Sequence, residues 1–222
     1  MLCSKCGEKV KPVVAIDIDG TLGDYHQHFL WFASEYIGGD LEILLKASMD
    51  PYTGNESFSE YCQEVFGIDL ALYRQIKLAY RQGGMKRSMP IFDGAARLVW
   101  QVIDSGAELW LTTTRPYLSL DNIVPDTVAW LDRHEIPYDG LLFDEDKYAV
   151  LANRVDSRRV VAVLDDLPEM YDAASEIFGE GIPMLVAGRF NKDVERHYKG
   201  PLAECVRTTL LRIDQWEGAN AS

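Results

Sequence analysis

The stretch Val13-Val14-Ala15-Ile16-Asp17-Ile18-Asp19-Gly20-Thr21-Leu22 decides how the rest of the chain is read. A short run rich in β-branched residues follows Pro12 and ends in two carboxylates one residue apart, then Gly and Thr. An apolar run without alternation reads as a strand buried on both faces, as in a parallel sheet. Ligands of such sheets bind just beyond the carboxyl ends of the strands. Asp17 and Asp19 therefore stand where chemistry is expected, and a turn at Gly20 lets both approach one ligand.

Immediately downstream the pattern becomes helical. Asp24 to Ile37 carries Tyr25, Phe29, Trp31, Phe32 and Tyr36 and stops at Gly38-Gly39, a natural helix end. Asp40 is expected to cap a short helix ending before Pro51. Ser57-Phe58-Ser59-Glu60 is a capping box, and Asp69 caps a further helix running to Gly83-Gly84. Residues 23–89 thus read as a helical cap inserted after the first strand. The main domain then comprises 12–22 and 90–200, with a tail at 1–11 and a terminal helix and tail at 201–222. The cap aromatics are core by default. A lid facing the site would instead let a flat ring stack on them, with Phe29, Trp31, Phe32, Tyr36, Tyr52, Tyr61 and Tyr73 as candidates.

Past Met89, helices and strands alternate. Asp93 is placed to cap a helix over 95–104. Glu108 to Leu111 is a strand running into Thr112-Thr113-Thr114-Arg115-Pro116. A loop over 121–125 leads to a helix over 126–134. Leu141 to Phe143 is a short strand ending at Asp144, and Asp146-Lys147 opens the next helix. Arg159 to Leu164 is a buried strand ending in Asp165-Asp166. Pro168 starts a helix, Pro183 to Val186 is the last clear strand, and a helix over 202–216 precedes a frayed tail from Gly218. The alternation predicts an α/β fold with a doubly wound, mainly parallel sheet.

Composition narrows the function. The formal net charge of −13 over 222 residues argues against a long nucleic acid as partner, because neutralising many phosphates needs a basic surface. A small phosphorylated substrate held by a metal and a few donors is compatible with it. No run is long and apolar enough for a membrane span or a secretory leader, and the four irregularly spaced cysteines suggest free thiols, so a cytoplasmic setting is expected. Cys3-Ser4-Lys5-Cys6 is half of a zinc ribbon without its second pair. It reads either as a short tail with two thiols or as a zinc site shared with a second chain or partner, and a homodimer is one arrangement that would complete it.

Four strand ends carry polar groups: Asp17/Asp19, Thr113/Thr114, the Asp144–Lys147 turn and Asp165/Asp166. Together and in this order they resemble the four motifs of the haloacid dehalogenase (HAD) superfamily of phosphohydrolases, over nearly the whole main domain from Val13 to about Val186. The resemblance implies a Rossmann-like core and a Mg²⁺-dependent phosphatase working through an aspartyl-phosphate. Asp17 would be the nucleophile, Asp19 the acid and base, Thr113 a phosphoryl-oxygen donor assisted by Thr114, and Lys147 the cation beside them. Mg²⁺ would be held by Asp17, the backbone carbonyl of Asp19 and Asp166, with Asp165 binding through water. Gly20 and Thr21 complete the first motif at the substrate, and Arg115 is a candidate for substrate phosphate. The physical reading agrees: a carboxylate attacking phosphorus in line divides one displacement into two, and clustered acids facing a phosphate dianion need a cation between them.

Within the superfamily the chain looks most like the 5'(3')-deoxyribonucleotidases. They share the Asp-x-Asp-Gly start, an aromatic cap of similar size, a Thr-rich strand end before Pro, an Asp-Lys at a helix start followed by Val150-Leu151, and a paired acid. Nucleoside monophosphates are then the implied substrates. Arg115 departs from that pattern and points to a second reading, the 3'-phosphatase domain of polynucleotide kinases. That reading would need a local basic groove, for which Lys86-Arg87, Arg154, Arg158 and Arg159 are candidates; Arg154, Arg158 or Arg159 could also replace Lys147. A third reading is a non-catalytic binding module that keeps the fold, against which the full set of acids speaks.

Overall fold

The computed structural model describes residues 10–39, 57–114, 119–188, 191–192 and 194–220. Cys3, Cys6, the helix expected after Asp40, Tyr52 and Arg115 lie outside the described residues. Six parallel strands form one sheet: β1 (Val13–Asp17), β2 (Glu108–Thr113), β3 (Gly140–Phe143), β4 (Val160–Asp165), β5 (Pro183–Val186) and β6 (Lys199–Gly200). Their order is β3-β2-β1-β4-β5-β6, so the chain winds outward in one direction from β1 and then, from β4, in the other. The crevice between the ends of β1 and β4 is the switch point where α/β sheets bind ligands.

The first strand is buried along its whole length, and its alternation divides it between two cores. Val14 and Ile16 pack into the larger cluster, and Val13 and Ala15 into the smaller one on the opposite face. Continued alternation points Asp17 toward the smaller core. Helix α6 (Lys147–Arg154) covers that core with Tyr148 and Leu151, which is why the first residue of α6 can reach the end of β1.

Between β1 and β2 lie helices α1 (Tyr25–Tyr36), α2 (Phe58–Phe66) and α3 (Leu70–Gln82) and a 3₁₀ turn, Met85–Ser88. The caps at Ser57 and Asp69 are those the sequence predicts, and Asp24 adds a third. Asp24 accepts from the Gln27 amide, Asp69 from the Leu72 amide, and Ser57 and Glu60 form a reciprocal capping box.

The remaining helices are α4 (Ala95–Asp104), α5 (Ile123–Arg133), α7 (Pro168–Phe178) and α8 (Leu202–Asn220). Three expectations change. Asp93 does not cap α4: Gly94 is the cap, at φ 75°, and no side chain bonds there. Helix α5 begins at Ile123 rather than Asp126, because Pro125 falls in the first turn, where a missing N–H is an unpaired one anyway. Helix α8 runs through Gly218 to Asn220, whose side-chain amide donates to the Trp216 carbonyl at 2.8 Å. The strand β6 has two residues, too few for any periodicity to announce it.

Candidate active site

The site is built from strand ends. Asp17 ends β1, Thr113 ends β2, Asp165 ends β4, and Lys147 opens α6 beside β3. Parallel pairing sets Asp17 opposite Thr112 and Ile16 opposite Leu164, so the three strand ends lie level. The Lys147 ammonium is 1 % exposed and lies 2.5 Å from Asp17 Oδ1 and 2.6 Å from Asp165 Oδ2. Asp165 is further held by the Leu167 amide at 3.0 Å and by the Tyr148 hydroxyl, both donating to its carboxylate. Asp166 accepts from Thr21 Oγ1 at 3.4 Å. Gly20 is a necessity of this packing: its φ is +95°, and a Cβ there would stand 2.1 Å from Asp166 Oδ2. Asn191, which carries no motif, donates to the Asp166 carbonyl at 2.7 Å and to the Val186 carbonyl at 3.0 Å, tying the ends of β4 and β5 together.

Two buried carboxylates, Asp17 and Asp165, thus share one ammonium, with Asp166 beside them. Burial pushes the Asp17 carboxyl up to about 7; Lys147 opposes this, while Asp165 and Asp19 add to it. Burial also raises Asp166 well above the ordinary carboxylate range, with Asp165 and Asp17 reinforcing it. Burial alone would lower the Lys147 pKa, but Asp165 and Asp17 reverse that and hold it protonated. Oxygens of Asp17, Asp165 and Asp166 lie within 4.8 Å of one another, a hard-oxygen set suited to Mg²⁺. The Asp19 carboxylate is not in this set. It turns the other way, onto Lys86 and Arg81 Nη2, the latter at 3.6 Å, so Asp19 could serve a metal there only through its backbone.

A cavity of about 200 Å³ opens over these groups. Its floor is Asp17, Asp19, Thr113, Thr114 and Leu167, and its roof is Tyr25 and His26 of α1 with Lys77 and Arg81 of α3. Thr113 is fully buried, and its Oγ1 has no hydrogen-bond partner among the described residues. A larger hollow, about 780 Å³, runs behind Asp166 from Gly20 and Thr21 toward Pro201; neither Asp17 nor Thr113 lines it.

Sequence reading placed Asp17, Asp165, Asp166, Thr113 and Lys147 together, and they are together. Arg158 and Arg159 are elsewhere, paired with Asp156 and Glu108. Of the residues named for a basic groove, Lys86 is buried on Asp19, Arg87 pairs with Asp126 at 2.5 Å while staying exposed, and Arg154 is exposed at the end of α6. Of the described cap aromatics named as candidates, none lines the small cavity. Phe29, Tyr61 and Tyr73 are core, and Trp31 and Tyr36 are exposed. The reading missed Arg81, Lys77 and His26. A signal existed, for Lys77 and Arg81 are four residues apart beside the buried stripe Tyr73, Ile76 and Tyr80.

No family model matches the chain. It is 28 % identical over 189 residues to a protein of Chlorobaculum tepidum named "Putative 5'(3')-deoxyribonucleotidase", covering 83 % of this chain and 81 % of that one. It shares its fold with a haloacid dehalogenase-like family hydrolase of Streptococcus pneumoniae, at TM-score 0.53 and 15 % identity over 89 % of this chain and 98 % of the other. A "predicted phosphatase" of Clostridium acetobutylicum superposes at TM-score 0.57 and 16 % identity, over 91 % and 100 % of the two chains. Among the described residues no helix is long and apolar enough to cross a membrane.

Proposed function

Taking the haloacid dehalogenase fold as premise, we propose that this chain is a Mg²⁺-dependent phosphomonoester hydrolase working through an aspartyl-phosphate, with nucleotides as its substrates. One observation carries the reading: the Thr113 hydroxyl, buried and without a partner among the described residues, lines the same small cavity as Asp17. An orphaned buried donor costs free energy unless a ligand accepts from it, and a phosphoryl oxygen beside a carboxylate nucleophile is such an acceptor. The nucleotide reading is supported by the Chlorobaculum relative's name and by the resemblance of the motifs.

The chemistry follows from positions. An Asp17 oxygen attacks phosphorus, the ester P–O bond breaks, and Asp19 gives its proton to the departing alkoxide. Water then attacks phosphorus, Asp19 takes its proton, and the acyl-phosphate P–O bond breaks to return Asp17 and release inorganic phosphate. Lys147 holds Asp17 in place throughout and offsets the charge beside it. Mg²⁺, held by Asp17, Asp166 and the Asp19 backbone, would neutralise the dianion that the carboxylates otherwise repel.

Hydrolysis of 4-nitrophenyl phosphate with and without Mg²⁺ tests this. Turnover is expected only with the metal, and Asp17→Asn should abolish it with the circular dichroism spectrum unchanged. An Asp17→Asn rate near that of the wild type would overturn the nucleophile. Folded wild-type protein that hydrolyses neither this ester nor any nucleoside monophosphate would instead be a binding module.

A further inference from the structure

The roof of the small cavity carries two cations, Lys77 and Arg81, beside Tyr25 and His26, and Arg81 is poorly satisfied. Arg81 is 5 % exposed. Its one ion contact among the described residues is Nη2 to Asp19 at 3.6 Å, beyond hydrogen-bond range, and Asp19 is already engaged more closely by Lys86. Arg81 Nε and Nη1 have no hydrogen-bond partner among the described residues. The guanidinium lies over the rings of Tyr25 at 5.1 Å and Tyr80 at 5.7 Å, which support its faces and leave its donor edges to find acceptors in the plane. Among the described residues, two buried cations, Arg81 and Lys86, contact the Asp19 carboxylate.

The position of these unmet Arg81 donors is informative. In-line displacement puts the leaving oxygen on the side of phosphorus opposite Asp17. Asp19 must meet that oxygen, and Arg81 sits on Asp19. Arg81 therefore faces the alcohol half of the substrate, where a planar fork of donors matches a pair of anionic oxygens. We propose that Arg81 is a specificity-determining residue for a second anionic group on the leaving alcohol, so that the preferred substrates are phosphomonoesters that also carry a carboxylate or a second phosphate. This rests on the phosphatase reading and sharpens it. Among nucleotides, it favours a nucleoside 3',5'-bisphosphate over a 5'-monophosphate.

Matched esters test the inference with the full-length protein and Mg²⁺. 2-Phosphoglycolate and 2-hydroxyethyl phosphate present the same phosphoryl group on two-carbon alcohols that differ in a carboxylate against a hydroxymethyl group. Wild-type kcat/KM should favour phosphoglycolate at least tenfold if the second anion is a carboxylate. A deoxynucleoside 3',5'-bisphosphate should exceed its 5'-monophosphate by a similar factor if the anion is a phosphate. Whichever preference is found should shrink to near unity in Arg81→Met and survive in part, through KM, in Arg81→Lys, which keeps the charge without the fork. Should Arg81→Met fail to fold, the Arg81→Lys ratio decides, because a purely structural arginine would leave that ratio at its wild-type value. Turnover with no preference in either pair, or a preference untouched in both variants, overturns the inference and leaves the phosphatase reading standing. Absence of turnover on all four esters removes that reading, and the inference with it.

Discussion

The two halves of the cavity are built from the same kind of parts in opposite proportion. At the strand ends, Asp17 and Asp165 hold the ammonium of Lys147, with Asp166 completing a cluster of carboxylates. Under the helices, Lys86 and Arg81 contact the carboxylate of Asp19. Buried charge left uncompensated is costly, which is why Asp17 and Asp166 hold their protons more tightly than ordinary carboxylates. The strand-end cluster offers carboxylate oxygens and suits a divalent cation; the helical cluster offers unmet guanidinium donors and suits an anion. The asymmetry assigns each half its ligand: metal and phosphoryl group below, the remainder of the ester above.

The largest effect should come from removing the cation that the acidic half holds. Lys147→Met takes away the ammonium shared by Asp17 and Asp165, and unfolding with a chelator present should show a loss of about 3–5 kcal/mol. Added Mg²⁺ should restore part of that loss, since it supplies positive charge in the same place. A variant as stable as the wild type in chelator would mean that the carboxylates are not charged together, and the contrast between the halves would fail.

Thr113 separates function from fold more cleanly. Its hydroxyl has no partner among the described residues, so Thr113→Val exchanges an orphaned group for a methyl of similar size and should leave stability unchanged or slightly raised. The rate should fall roughly 10²-fold, as expected for removal of one donor from a developing oxyanion. A variant that is destabilised yet fully active would make the hydroxyl a structural one.

The two halves were not equally legible. Strand ends advertise themselves: an apolar run that stops at a carboxylate places the residue and its neighbourhood together, because every parallel strand delivers its last side chain to the same edge. That is how Asp17 and Asp165-Asp166, nearly 150 positions apart in sequence, could be paired. Lys147 was readable by the same logic, as the first residue of a helix leaving a strand. Arg81 and Lys86 announce nothing of the kind. They belong to α3 and the turn after it, where a lysine or arginine ordinarily meets water, and only the way the helical segment folds back onto Asp19 makes them part of the site. The aromatic residues follow the default reading: a ring on a helix is drawn to whatever core is nearest, and Phe29, Phe58, Tyr73 and Tyr80 pack with one another and with Tyr25, which alone of these also reaches the cavity.

The smallest expected effect is a difference of sign in how the halves titrate. In metal-free protein the Asp17 carboxyl, raised to about 7 from the ordinary 3.8, holds its proton more tightly when folded than when unfolded. Its contribution to stability is complete below pH 3.8 and is lost as pH rises through 7. His28 behaves in the opposite way. Burial, then the nearby Lys86 charge, lowers its pKa below 6.5, while its ring bonds to the Tyr80 hydroxyl at 2.8 Å. The unfolded chain therefore gains a proton that the folded one resists, and stability present above pH 6.5 is lost as pH falls through the lowered value. Compared in chelator between pH 5 and pH 8, Asp17→Asn should remove the loss on the alkaline side, worth about 1 kcal/mol between pH 6 and 8 for a group titrating near 7. His28→Gln should remove a loss on the acid side alone. If both variants flatten the same limb, the charge imbalance that distinguishes the two halves is not what governs their ionisation, and the assignment of a cation to one and an anion to the other loses its physical basis.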